Sequence, residues 1–476
     1  MPFLPFFSGD AKATDGSRRD IAGQLVSLAL PLLIGNIFQQ FYNIASSLIV
    51  GRFIGEAAFA AVGVAGSVMN LYIFVLNGAC VGVTVVLASL YGGGDLRTLR
   101  KGIFVASVAG TIFTLLLSAA SVVSLPLVIR AIQTPLEIQG YIEQYLNVIL
   151  GGLLATFLYN LCAGVLRAVG NTRAALYVLV VSVVFNALLT FVLIGGLEHG
   201  IAGAAWATVV SQLLSVVLCV VYIAKKMPFL VVGREDMRFD AAILKKTAHY
   251  ASVSALHQSS LYIGKMLVQG TVNTLGTATI AAYTAAGRIE GIAAAFADSG
   301  GESVSIFSAH KTGARNPALA RRGFWVGFAI LGALGVFVAL AIYVFARPCV
   351  ALFMGGDAFG ALALHEGAAY LRIMSYFYIL SFVGNAFVGY FRGSGRINIP
   401  FIGSTLQISL RVIFSYLLVS RMGLSAVALA TGIGWSAIVM FQSLVYAHMV
   451  KRERREAGEK ATHPTATPVA PSPPRL

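Results

Sequence analysis

Three acids stand in one long apolar run, residues 279–310: Glu290, Asp298 and Glu302. At about 100° of turn per residue they fall within about a 120° arc, and Asp298 and Glu302 share one helical face at i, i+4 spacing. A carboxylate inside such a run is costly unless it faces a cavity or a partner, so the chemistry on offer is reversible binding of a proton or a small cation. In the preceding apolar run, Lys265 is a charge that lowers a neighbouring carboxylate's pKa and His257 is a proton relay. If the two runs are antiparallel helices, Lys265 and Glu290 differ in depth by only about 3 Å, and His257 lies near the level of Asp298. A Lys265 to Glu290 pair is therefore expected. The plainer alternative is a neutralised structural network of Lys265, Arg288 and Glu290, with Glu302 at the interface. Asp298, Glu302, Glu290, Lys265 and His257 form the candidate cation-coupling set.

Uncharged polar residues make two further stripes, Asn36, Gln40, Asn43 and Ser47 in one run and Asn70, Asn77 and Thr84 in the next. Such residues line substrate paths or hydrogen-bond between helices. Arg372 and Arg411 are read as structural partners for Glu366 rather than as anion contacts. The four cysteines, Cys80, Cys162, Cys219 and Cys349, lie in apolar runs with no Cys-x-x-Cys spacing and no His cluster. They are expected to be buried core, with neither a disulfide framework nor a metal site.

Composition says what must position these groups. Of 476 residues, 58% are hydrophobic and 11% are charged, with a mean hydropathy of +0.82, against about 25% charged in a soluble domain. A soluble globular protein is excluded. The net charge of +15 would suggest a nucleic-acid partner in a soluble chain; in a membrane chain it sets orientation. Twelve runs are long enough to cross about 30 Å of hydrocarbon: 21–50, 57–91, 98–129, 138–166, 174–197, 201–224, 242–274, 279–310, 319–346, 358–391, 398–420 and 424–449. Pro31, Gly78 and Pro126 are places where a helix could bend. Most of the 34 Lys and Arg then fall in segments on the side of the N-terminus, among them Arg97, Arg100, Lys101, Arg167, Arg173, Arg392 and Arg396. The opposite loops hold Arg52, Arg130, Arg347 and Arg421, and Lys265, Arg288, Arg372 and Arg411 fall inside spans. Positive-inside counting puts both termini in the cytoplasm of a multi-pass cell-membrane protein.

The chain also matches itself. Phe59 to Gly66 aligns with Ile280 to Gly287, and Gly92 to Gly102 with Gly313 to Gly323, both at an offset of 221; Leu166-Arg-Ala-Val-Gly170 aligns with Phe391-Arg-Gly-Ser-Gly395 at 225, and Gly203 to Thr208 with Ala426 to Thr431 at 223. Each half holds six spans, an even number, so the repeats are parallel. The expected fold is an all-α polytopic membrane protein of twelve transmembrane helices in two six-helix lobes. Its parts are a cytoplasmic N-terminus (1–20), an N-lobe (21–226), a cytoplasmic linker (227–240), a C-lobe (241–450) and a disordered basic, Pro-rich tail (451–476).

Two similar lobes suit alternating access by rocking about a midplane site. No phosphate-binding loop ending in Gly-Lys-Ser/Thr, no His-Glu-x-x-His helix and no Gly-x-Ser-x-Gly elbow is present, so an enzyme and a cofactor are not expected. A secondary transporter is the strongest reading from the residues.

Several stretches resemble the multidrug and toxic compound extrusion (MATE) family across about 21–450: Phe38-Gln-Gln-Phe-Tyr-Asn43, Val50-Gly-Arg-Phe-Ile-Gly55, Ala60-Ala-Val-Gly63, Leu166-Arg-Ala-Val-Gly-Asn-Thr-Arg173 and Ala281-Ala-Tyr-Thr-Ala-Ala-Gly-Arg-Ile-Glu290. The resemblance implies export of organic cations or other amphiphilic small molecules in exchange for H+ or Na+. Many members carry an aspartate where this chain has Ser46, and an Asn/Asp pair where it has Asn186 and Thr190. Other acidic positions of the family fall near Ser259 and Ser381. Hydroxyls do not titrate in the useful range, so coupling is expected to have moved to the second lobe. Asn36, Gln40, Asn43, Ser46, Asn186 and Thr190 are the candidate substrate-cavity lining. The partners expected are a small-molecule substrate, the coupling ion and the bilayer, with no nucleic acid, in a monomer. The alternative is a flippase for a lipid-linked oligosaccharide or lipid precursor, whose mark would be Lys265, Arg288, Arg372 and Arg411 converging on the lumen. A major-facilitator transporter is disfavoured because Gly92 to Lys101 lacks Asp-Arg-x-Gly-Arg-Arg; a receptor or scaffold would lack flux.

Overall fold

A backbone N–H or C=O left without a partner in hydrocarbon costs several kcal/mol, and a helix satisfies both internally. The computed structural model, which describes residues 16–131, 136–353 and 358–462, accordingly turns every long apolar run into helix. In order these are α1 (Arg18–Phe53), α2 (Glu56–Gly92), α3 (Leu96–Ala131), α4 (Leu136–Gly151), α5 (Leu153–Ala168), α6 (Thr172–Phe191), α7 (Gly200–Lys226), α8 (Ala241–Asn273), α9 (Thr277–Gly313), α10 (Pro317–Ala351), α11 (Ala358–Ser375), α12 (Tyr378–Gly393), α13 (Asn398–Met422) and α14 (Leu424–Thr462). The fourth and tenth segments are broken spans: α4 and α5 meet at 47°, α11 and α12 at 52°. Eight helices are long and apolar enough to cross a membrane and the bent pairs bring the number to ten. The remaining two, α8 and α9, are 33 and 37 residues long and are set apart by the polar residues they carry. Pro31 and Pro126 lie within α1 and α3, and the broken spans are interrupted at Gly151-Gly152 and Tyr376-Phe377.

The parallel repeat is written into the turns. Left-handed backbone occurs at Gly55 and Gly276, Gly94 and Arg315, Gly170 and Gly395, Gly200 and Gly423, which pair at the offsets of the sequence repeat. Asp95 and Asn316, one residue after the second pair, cap the next helices by accepting from Thr98 N at 2.9 Å and Leu319 N at 3.0 Å. Packing repeats as well: α1 lies on α6 as α8 lies on α13, and α2 on α5 as α9 on α12. One core belongs to the first half, around Leu76, Leu146 and Phe157, and another to the second, around Phe324, Tyr370 and Phe382.

The halves interlock at the end of the bundle where α1 begins and α14 finishes, here called the terminal face. Ile21 and Leu25 of α1 enter the second core, while Tyr250 and Ala251 of α8 pack on the first. Small residues permit this approach. A Cβ on Gly78 would stand 2.7 Å from the Ser254 carbonyl oxygen, and one on Gly82, Gly92 or Gly313 would collide with the backbone of Tyr250, His310 or Ser89. His310 Nε2 meets the Ala168 carbonyl at 2.6 Å, so this face is sealed by backbone contact.

The segment between α7 and α8 is fastened rather than free. Two short 3-10 turns, Pro228–Leu230 and Arg234–Asp236, bury Leu230. Arg100 donates from Nε to Asp236 Oδ2 at 2.6 Å and from Nη1 to the Phe229 carbonyl at 3.4 Å. The hydrogen bond from Arg100 holds the Asp236 carboxyl below its usual value of 3.8. At the other end, the tail expected to be disordered from 451 is helical to Thr462. Glu453 supplies the reason, bridging Arg321 and Arg396, the latter at 3.3 Å.

Candidate functional site

A cavity of about 440 Å³ lies between the halves, and α1, α2, α5 and α6 of the first and α8, α9, α12, α13 and α14 of the second line it. Repeat-related residues line it in pairs: Asn36 and His257, Asn77 and Asp298, Asn160 and Asn385, Arg167 and Arg392. Pseudo-symmetry thus delivers like positions to one place, and divergence has made the second half the charged one. Its volume lies within the roughly 300–1,000 Å³ of ordinary small-molecule sites.

Asp298 and Glu302 both line the cavity, one helical turn apart, as their spacing predicts. Asp298 is accessible from it. Glu302 Oε1 accepts from Arg167 Nη1 at 3.1 Å, an ion pair that ties α9 to α5 across the two halves. Arg392 is 8% exposed, acts electrostatically on both acids, and places Nη2 3.4 Å from His257 Nδ1. A guanidinium has no lone pair to offer, so this contact needs an unprotonated Nδ1 on His257. Two acids and two guanidiniums leave the centre formally neutral. A cation or proton arriving at a carboxylate therefore competes with an arginine already there.

Arg167 and Arg392 are what sequence reasoning missed. Read in one dimension, each belongs to the basic edge that sets topology, because each sits at the terminal-face end of a span. The signal was present in the repeat, since Leu166-Arg-Ala-Val-Gly170 and Phe391-Arg-Gly-Ser-Gly395 align the two arginines.

Glu290 and Lys265 lie outside this cavity, which corrects their grouping with Asp298 and Glu302. Glu290 accepts from Tyr370 Oη at 2.7 Å, and Arg411 acts on it more strongly than Lys265 does. Arg411 Nη2 in turn reaches Tyr283 Oη at 3.4 Å. The expected Lys265 to Glu290 pair is thus replaced by a tyrosine and arginine cluster inside the second half, because the side of α9 that carries Glu290 packs on α11. Arg411 serves this cluster, and the Glu366 Oε2 it was expected to partner is buried without a hydrogen bond.

Among the uncharged candidates, Asn36 lines the cavity and donates to Ser299 Oγ of the other half at 3.0 Å. Of the two neighbouring glutamines of α1, Gln39 rather than Gln40 lines the cavity, while Gln40 lies against Gly291. Asn186 and Thr190 are buried off the cavity and bonded to each other at 3.2 Å, since α6 turns that face into its own half. Ser46 is half-buried and is not among the lining residues, and the side chain of Asn43 lies outside the described residues. Lys265, Arg288, Arg372 and Arg411 do not line the cavity either, so the cationic lumen expected of a flippase is not formed by them. All four cysteines are free, and no group of three metal-ligating side chains occurs among the described residues.

A polar centre enclosed by two repeat-related halves of a membrane bundle defines a multi-pass membrane transporter. The chain belongs to the MatE family, whose model matches residues 31–192 and 253–417, one stretch in each half. It is 26% identical over 388 residues to the probable multidrug resistance protein YpnP of Bacillus subtilis, covering 81% of this chain and 85% of that one. It is 25% identical over 384 residues to the probable multidrug resistance protein NorM of Bradyrhizobium diazoefficiens, covering 78% and 80%. In fold it is similar to a MOP superfamily transporter from Pyrococcus furiosus described as having a binding pocket of reversed polarity, with a TM-score of 0.85 at 22% identity over 92% of this chain and 99% of that one. An outward-facing MATE family transporter gives 0.84 at 23% identity over 93% and 100%. The family is the one the sequence resembles.

Proposed function

We propose that the chain exports organic cations or other amphiphilic small molecules by antiport with H+ or Na+, its two halves alternating access to the central cavity. The lobes would be 21–226 and 241–450, joined by 227–240, with both termini in the cytoplasm of the cell membrane. The observation that carries this reading is the Asp298 and Glu302 pair on the cavity wall, with Glu302 bound across the halves to Arg167 at 3.1 Å.

That geometry supports the following cycle. With the terminal face sealed, the cavity addresses the other side. A proton or Na+ from that side occupies Asp298 or Glu302, releases the arginine it was paired with, and weakens the bridge between the halves. Reorientation then opens the terminal face, where the ion leaves and substrate competes for the carboxylates. A ligand can shift this equilibrium only by its differential affinity for the two states, and a bridge made in one state and broken in the other supplies such a difference.

The test is efflux of a fluorescent organic cation from proteoliposomes with proton and sodium gradients imposed separately. Asp298→Asn with Glu302→Gln should abolish the response to whichever gradient drives transport in the unsubstituted chain. Undiminished gradient-driven export by that double variant would overturn the proposal.

A further inference from the structure

A second cavity, of about 900 Å³, opens on the outside of the second half between α10, α12 and α14. Its floor is aromatic. Trp325 lies 5.7 Å from Tyr446 and 5.5 Å from Phe328, and Phe328 lies 5.9 Å from Phe387, all edge to face. Its rim at the terminal face is cationic, made by Arg321 near the start of α10 and by Lys451 and Arg455 on successive turns of α14, and no carboxylate lines it among the described residues. Glu453, between those two on the helix, is outside the groove lining and bridges Arg321 of the rim and Arg396. Arg321 Nε remains buried with no hydrogen-bond partner.

The surroundings say what fills such a groove. Trp325 is 50% exposed, and Met440 and Leu444 on α14 are 63% and 64% exposed, as expected of side chains that face lipid. From Arg321 to Phe328 the helix descends about 10 Å, the step from a headgroup phosphate to the upper acyl chain. Tryptophan and tyrosine favour this depth, and basic pockets between transmembrane helices hold anionic headgroups. A zwitterionic lipid would bring an ammonium into a rim that already carries Lys451 and Arg455 beside the Arg321 that Glu453 pairs.

We propose that this groove is a binding site for one anionic phospholipid of the leaflet at the terminal face, its phosphate held by Lys451, Arg455 and Arg321 and one acyl chain laid over Trp325, Phe328 and Phe387. The lipid would brace α14 against α10, the two helices that Glu453 and Arg321 also join.

The experiment is native mass spectrometry of the full chain in detergent titrated with phosphatidylglycerol, with phosphatidylcholine, and with inorganic phosphate as competitor. One phosphatidylglycerol should be retained per chain, phosphatidylcholine should not be, and phosphate should not displace the lipid. Lys451→Gln with Arg455→Gln should weaken retention roughly thirtyfold, at about 1 kcal/mol for each cation near an anionic surface. The charge-preserving Lys451→Arg with Arg455→Lys should keep retention within roughly threefold, and Trp325→Ala should weaken it through the floor alone. Equal retention of phosphatidylcholine, undiminished retention by the Gln variant, equal loss in the charge-preserving variant, or displacement by inorganic phosphate would each overturn the assignment.

Discussion

Removing the bridge between Arg167 and Glu302 one partner at a time measures how firmly it joins the halves. The side chains are 15% and 21% exposed and 3.1 Å apart, which at an effective dielectric constant near 20 is an attraction of about 5 kcal/mol. Desolvation of both ions opposes it, and Arg392 is already near Glu302 as a second partner, leaving a net coupling of about 2–3 kcal/mol. The two single losses should be unequal. Arg167→Gln leaves Glu302 beside Arg392, whereas Glu302→Gln strands an arginine whose Nε is already buried without a partner. Glu302→Gln should therefore be the costlier, and the double variant should lose no more than that single change, because the second substitution removes the stranded charge. The assay is thermal unfolding of the detergent-solubilised chain for the four members of the cycle. Losses that add to within about 0.5 kcal/mol would refute the reasoning, since independent sites behave that way.

The seal at the terminal face makes a second prediction. Gly82→Ala puts a Cβ into the Tyr250 backbone, while Gly63→Ala meets open space; the first should destabilise by about 1–3 kcal/mol and the second should be neutral or stabilising by up to about 1 kcal/mol, read as shifts in melting. Arg315 holds φ of 56° where its counterpart in the first half is Gly94, so Arg315→Gly should raise stability by about 1 kcal/mol, the strain relieved less the added freedom of the unfolded chain. The Arg100 to Asp236 contact depends on an ionised carboxylate whose pKa is lowered in the folded chain. Its contribution is fully present above the usual value of 3.8 and is lost as pH falls through the lower folded value. Trypsin cleavage at Arg234 or Arg238 should thus stay slow down to the lowest pH the protease tolerates, and Asp236→Asn should speed it at every pH.

Much of the architecture is legible in one dimension. Hydrocarbon thickness sets run length, so the membrane-length segments emerge from composition and breaks, including α8 and α9 despite their polar residues. The repeat emerges because the turns that demand left-handed backbone recur, at Gly55 and Gly276 or Gly170 and Gly395. The spacing of Asp298 and Glu302 likewise places them on one face of α9 without reference to any other helix. The two broken spans were not legible, since neither Gly151-Gly152 nor Tyr376-Phe377 is set apart in the sequence, and α2 and α7 pack on both arms of the first.

The site shows where that reading stops. Glu290 lies eight residues before Asp298 on the same helix, yet packing against α11 sends it to Tyr370 while Asp298 reaches the cavity. Arg167 and Arg392 look like loop charges until the halves close and turn them inward. From sequence alone came the membrane class, the two-fold repeat, the basic side and the face that carries Asp298 and Glu302, because each depends on local periodicity or on the thickness of the solvent. Tertiary structure alone decided the Arg167 to Glu302 bridge, the contact of Arg392 with His257 and the separation of Glu290, because a charge in the membrane is defined by the partner that another helix brings to it.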